Sequence, residues 1–165
     1  YTTSDLKNVT SSVYCYAGTE TGCSAPDTQK GWFINLSSST LTVSATESYA
    51  NPVGEKMISD PAVFGGLLLF PTYLPNQGMA VACGMAGSSF LYKINYLTGE
   101  RETVYVGVGI GSSVLVSYRP GYTGADIYIT ASGGAGTSTL TVTPGQAPST
   151  SNMTNILYWR DMRLK

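Results

Sequence analysis

The sequence predicts an all-β fold assembled from antiparallel meander units, and three observations carry that reading. Short apolar runs rich in aromatic and aliphatic residues recur along the chain, each closed by turn residues such as Gly and Pro. Charged residues are only 12% of the 165 positions, about half the usual share of a soluble domain, and Gly, Ser, Thr and Tyr fill the difference. That mix suits an exported β protein and suits neither a helical bundle nor a disordered tail. The stretch from Met57 to Gly99 shows the repeating unit most clearly. Its runs are Asp60–Phe64, Leu67–Phe70 and Phe90–Tyr96, with Gly65-Gly66 as a tight turn after the first and Thr98-Gly99 ending the third.

Taken in order, Ser12–Ala17 reads as a β-like run, and the loop from Gly18 to Lys30 carries Gly, Pro and Asp and is expected to be exposed. Gly31–Leu36 reads as a strong strand. Thr40–Thr46 alternates apolar and polar residues, as a half-buried strand does. A turn at Asn51-Pro52 and Gly54 leads into Glu55–Ile58. The central unit then makes a long excursion from Pro71 to Ser89, which is either a functional loop or an ordinary connection packed by Met79, Val81 and Met85. Thr103–Val106, Gly111–Tyr118, Ala125–Ala131 and Thr139–Thr143 read as further strands. Gly107–Gly111 is a strand-entry turn, since no helical period follows it to make a dinucleotide fingerprint. Gln146–Asn152 is a linker by composition, and Asn155–Arg163 fits a strand or a helix by period, its aromatics and its position after strands favouring a strand.

Corresponding runs recur at a spacing of about 50 residues, near the blade period of propellers. About three blades fit, too few to close a ring, so the expectation is an incomplete β-propeller or an open β-sandwich. Residues 1–30 are expected to hold an N-terminal strand and exposed loop, the end of an earlier unit, and residues 31–165 the main β domain.

The formal net charge is −1, which attracts neither nucleic acid nor an anionic membrane. The chain has no histidine, which removes Ser-His-Asp triads, Cys-His dyads and histidine zinc sites. No carboxylate pair has a spacing that suggests acid/base work. No catalytic, cofactor-binding or metal-binding residue is therefore nominated, and no cofactor is expected. No apolar run approaches the ~20 residues of a membrane helix. The chain opens at Tyr1 without an initiator Met or a visible signal peptide, and is expected to be a mature, processed or excised piece.

Of three cysteines, Cys15 and Cys23 are close in sequence and are candidates for a local disulfide clasp in an oxidising compartment. The alternative is three buried thiols. Cys83 is the odd one, either free or paired with a cysteine elsewhere. Sequons at Asn8, Asn35 and Asn152 are what chance yields in a Ser/Thr-rich chain.

Five segments, in order, resemble a known family: Gly31–Leu36, Gly54–Val63, Phe70–Pro75, Cys83-Gly84 and Ser89–Gly99. Gly109–Ser113 and Tyr158–Arg163 follow in the same order. Together they resemble the C-terminal domain of the PilY/PilC-type type IV pilus tip proteins, over roughly residues 31–165. The resemblance implies a quinoprotein-type β-propeller, exported and carried on pili, the outer membrane or the cell surface. It implies roles in pilus biogenesis, retraction control and adhesion, with pilin, other pilus components or an upstream fragment of the same protein as partners. Family members carry a calcium loop of alternating Asp residues; the sequence has no such run, so calcium is not carried over. Trp32, Asp60 and Trp159 match family positions and are read as structural.

Three functional readings follow. The first is a non-enzymatic pilus-associated module that binds proteins or surfaces, to which Tyr-, Ser- and Gly-rich loops are suited. The second is a structural subunit of an extracellular filament, in which open sheet edges pair between chains or with further copies of itself. The third is a quinoprotein-like enzyme fragment, for which the sequence shows neither adjacent cysteines nor a cluster of metal-binding acids.

Overall fold

The computed structural model describes residues 2–36, 40–43, 45, 48–50, 52–75, 87–118 and 125–132. Their regular structure is mostly strand, with 3-10 conformation at Thr3–Asp5 and Leu36, so the fold is all-β, and they form no closed barrel. In chain order the first strands are β1 (Lys7–Asn8), β2 (Trp32–Phe33), β3 (Thr40–Thr42) and β4 (Ser48–Ala50). A central group follows: β5 (Lys56–Met57), β6 (Ala62–Phe64), β7 (Leu67–Leu74), β8 (Ser88–Asn95) and β9 (Arg101–Val108). The last two are β10 (Leu115–Tyr118) and β11 (Ala125–Tyr128).

The central group is one antiparallel sheet in the order β5-β7-β8-β9, with β6 also on β7. Its first hairpin closes on the Phe64↔Leu67 pair through Gly65 and Gly66, at φ 56° and 84°. A two-residue turn whose backbone twist matches the strands needs positive φ at both central positions, which Gly-Gly supplies without steric cost. The β8–β9 connection is held by Asn95, whose Oδ1 accepts the Leu97 amide at 2.9 Å and whose carbonyl accepts the Gly99 amide at 2.8 Å. Gly99 sits at φ 68°, and a Cβ there would lie 2.5 Å from Val9 and 3.1 Å from the Trp32 ring. The N-terminal segment therefore packs closely against this turn. Tyr14 donates its amide to the Thr98 carbonyl at 2.7 Å, and Trp32 Nε1 donates to the Tyr96 carbonyl at 3.0 Å.

Strand pairing sorts the side chains onto two faces, because paired residues share a face and neighbours alternate. One face carries Phe70, Leu74, Phe90, Tyr92 and Ile94, which form a core with Leu41 of β3 and are flanked by Trp32, Ile34 and Tyr49. Phe70 stacks on its cross-strand partner Tyr92 at 5.2 Å, and Phe90 meets Tyr105 edge-on at 5.6 Å. The other face carries Leu69 and Leu91, covered by Ile127, Ile129 and Val116 from the β10–β11 region. Val106 joins this second core by alternation from Tyr105, and the register shift between Ser89 and Phe90 leaves it as the extra residue of a bulge. The middle sheet is thus buried on both faces, with a small antiparallel sheet against each: β3–β4 on one and β10–β11 on the other. Two-sided burial explains why Phe90, Leu91 and Tyr92 run consecutively at 0% exposure.

Several expectations change. β7 runs on through Pro71 to Leu74, so the excursion starts later than Pro71. Pro71 is tolerated because it pairs only with Leu91, in the gap between β5 and β6 on its other side. Gly31–Leu36 is a strand only at Trp32–Phe33, paired in parallel with Lys7–Asn8. Ser12–Ala17 is not a strand; its backbone amides go to the Thr98 carbonyl, the Asp27 carboxylate and the Glu20 carboxylate instead of to a strand partner. Gly107 and Gly109, at φ 153° and 96°, lie at the exit of a strand rather than the entry. β4 was not foreseen. Gly111 makes a single bridge to Ala131 rather than opening a strand. Most of the 71–89 excursion, Cys83, the Arg119-Pro120-Gly121 turn, and every expected element from Gly133 to the C-terminus lie outside the described residues.

Candidate functional site

Cys15 and Cys23 are joined as a disulfide, with their Cα atoms 5.7 Å apart. The loop it closes is organised by carboxylates that accept backbone amides. Glu20 takes the amides of Ala17 at 2.8 Å and Gly18 at 2.9 Å. Asp27 takes the Cys15 amide at 2.6 Å and Lys7 Nζ at 2.7 Å. The Tyr14 hydroxyl donates to the Gln29 carbonyl. Both carboxyls titrate below their ordinary values, Asp27 chiefly through the Lys7 hydrogen bond and Glu20 chiefly through the Ala17 amide. The loop is a built surface feature, and it presents Tyr16 63% exposed.

A second polar constellation lies under the sheet. Glu55 is only 8% exposed. Its Oε1 accepts Thr72 Oγ1 at 2.6 Å and its Oε2 accepts the Tyr92 hydroxyl at 3.2 Å. Burial pushes its carboxyl above the ordinary glutamate range; the two hydroxyl donors and the charge of Arg101 pull the other way without cancelling it. Sequence reading placed Glu55 just after the turn at Asn51-Pro52 and Gly54 and missed its burial. The signal was faint: a single acid, with Lys56 beside it, in a strap of Pro, Val, Gly, Met and Ile. On the opposite face Lys93, also 8% exposed, pairs with Glu102 on β9 at 2.6 Å.

The sheet has two unlike edges among the described residues. The β5–β6 edge is two short strands broken by Asp60-Pro61, with Val53, Met57, Ile58 and Val63 exposed along it. β9 is an eight-residue strand with no further strand paired on its outer side. Short strands and Pro blunt the first edge against pairing; β9 is longer, though the bulge at Val106 interrupts it.

Of the sequons, Asn8 has its Oδ1 occupied by the Thr10 amide and hydroxyl, and Thr10 Oγ1 also accepts the Asn35 amide. Asn152 lies outside the described residues. Among the described residues no three His, Cys, Asp or Glu side chains converge as metal ligands would. No helix among them is long and apolar enough to cross a membrane.

No protein-family model matches the chain, and no solved structure matches it. Among curated proteins it is similar to a type IV pilus biogenesis factor PilY1 homolog of Xylella fastidiosa (strain Temecula1 / ATCC 700964), 32% identical over 69 residues. The matched stretch is 42% of this chain and 4% of that protein, so the similarity covers a small part of a much longer relative.

Proposed function

We propose that this chain is part of an exported, non-enzymatic protein of type IV pili that acts by binding pilin or other pilus components at the cell surface. The observation that carries the reading is the 69-residue similarity to a protein named for pilus biogenesis. A disulfide within a polar, low-charge chain agrees with export to an oxidising compartment. The finer architecture we read as successive blades of an incomplete propeller. A meander sheet with further small antiparallel sheets against both faces is what three neighbouring blades present. The disulfide loop with its exposed Tyr16, and the β9 edge, unpaired on its outer side among the described residues, are the surfaces on which such binding would fall.

The test is cosedimentation of the purified chain with sheared type IV pili, against pili-free filtrate from a pilin-deleted strain. Saturable recovery in the pilus pellet is expected. Equal recovery from both preparations overturns the reading. A second reading, a subunit of an extracellular assembly built by edge pairing, is favoured only by the β9 edge, which has no strand partner on its outer side among the described residues. Concentration-dependent self-association without pili would select it.

A further inference from the structure

The segment from Pro52 to Ile58 is inside out by the usual rule of burial. Val53, Met57 and Ile58 are 72%, 48% and 47% exposed, while Glu55 between them is 8% exposed. Only Pro52 and Glu55 are buried in this stretch. Gly54, at φ 83°, makes the turn that leaves Val53 outside and brings the next residue in. The strand that follows, β5, is two residues long with both side chains exposed, and it pairs only through Lys56↔Tyr73 and Met57↔Thr72. An edge strand is ordinarily held down by apolar side chains. Here a carboxyl shares that work with the buried Pro52 ring, gripped by one hydroxyl from β7 and one from β8.

We propose that Glu55 is an acid-tightened latch: the strap of residues 52–58 docks more firmly on the sheet as pH falls and loosens as the carboxyl ionises, baring the β7 edge at Thr72–Tyr73. The strap has two positions, docked and released. When it is released, the Glu55 carboxylate is hydrated. When it is docked, the carboxylate loses that hydration, which disfavours the charged form. The groups facing it are Thr72 Oγ1 from β7, the Tyr92 hydroxyl from β8 and the Arg101 charge from β9; Lys56 beside it on its own strand is exposed. All three facing groups favour the carboxylate, and burial outweighs them. The neutral acid keeps its place by donating its own proton to one of the hydroxyl oxygens. The docked state therefore binds the proton more tightly than the released state. Docking strengthens on acidification between the raised docked value and the ordinary glutamate value, and is independent of pH outside that window.

The experiment is hydrogen exchange with mass spectrometry on the full 165-residue chain, from about pH 4 to about pH 8, with rates corrected for intrinsic exchange. Peptides covering 52–60 are compared with 88–95 in the wild type and in Glu55→Gln. Protection of the strap relative to the reference should rise by up to about tenfold per pH unit on acidification within the window, and Glu55→Gln should abolish that slope. A flat or opposite slope in the wild type, or the same slope in the variant, overturns the proposal. If Glu55→Gln does not fold, carboxyl carbon-13 NMR of the unaltered chain decides. Glu55 should titrate above the ordinary glutamate value and above Glu20, and titration at or below the ordinary value refutes the latch.

Discussion

Removing the Cys15–Cys23 crosslink is the sharpest test of how the N-terminal segment is built in. The crosslink spans a sequence separation of 8. In the chain-entropy account, closing so short a loop restricts the unfolded chain by about 2.5 kcal/mol at room temperature. That figure applies to the whole domain only if the loop unfolds together with the sheet. The contacts argue that it does: Tyr14 is bonded to Thr98 in the β8–β9 turn, Asp27 joins Lys7 to Cys15, and Val9 packs on Gly99. For a domain of this size each kcal/mol moves the melting temperature by roughly 2–4 °C. Cys15→Ala/Cys23→Ala should therefore melt roughly 5–10 °C below the wild type by near-UV circular dichroism, which reports tertiary packing. Reduction of the wild type should reproduce most of the drop, separating the crosslink from the small packing loss at buried Cys15. An unchanged melting temperature in both would refute the reasoning, because it would mean that residues 12–30 fray independently of the sheet.

Further expectations follow from single contacts. Leu91→Ala removes a fully buried side chain from the second core and should cost about 3–4 kcal/mol in urea unfolding. Gly99→Ala forces a Cβ into Val9 and the Trp32 ring at a left-handed position, so it should cost at least about 1–2 kcal/mol and shift tryptophan emission. Glu102→Ala strands the buried Lys93 ammonium and should cost about 1–2 kcal/mol, less than a fully buried pair because Glu102 is exposed. Acidification should act on the N-terminal loop in the sense opposite to the strap. Asp27 has a depressed carboxyl value, so the stability it contributes is present above the ordinary aspartate value and is lost as pH falls through the lower folded one. Amide signals of Cys15 and its neighbours should report that loss in an acid NMR titration, and Asp27→Asn should remove the transition.

What was legible in the sequence was what is decided locally. Gly65-Gly66 between two apolar runs permits few alternatives to a tight hairpin, and the register Phe64↔Leu67 follows from it. The eight-residue span of β7 was not legible, because Pro71 in isolation reads as a stop. It is a stop only when both edges of its strand are paired, and here one side is open at that position. Ser12–Ala17 has the composition of a strand, yet its backbone groups are taken by Asp27, Thr98 and the disulfide turn before any strand can claim them.

Glu55 marks the limit of local reading most plainly. Alternation along Val53, Glu55 and Met57 puts an acid on the same face as two apolar residues, and the ordinary inference buries the apolar pair. The chain does the reverse, because the hydroxyls able to receive a carboxyl lie 17 and 37 residues away, at Thr72 and Tyr92. Those two residues are brought together only by the pairing of β7 with β8. Thr72 and Tyr92 themselves read as ordinary strand residues, one β-branched and one aromatic. Sheet formation must therefore precede the latch. The strap that depends on it should be the last part of the sheet to close and the first to open, so under mild denaturant at neutral pH residues 52–58 should lose exchange protection before residues 88–95 do.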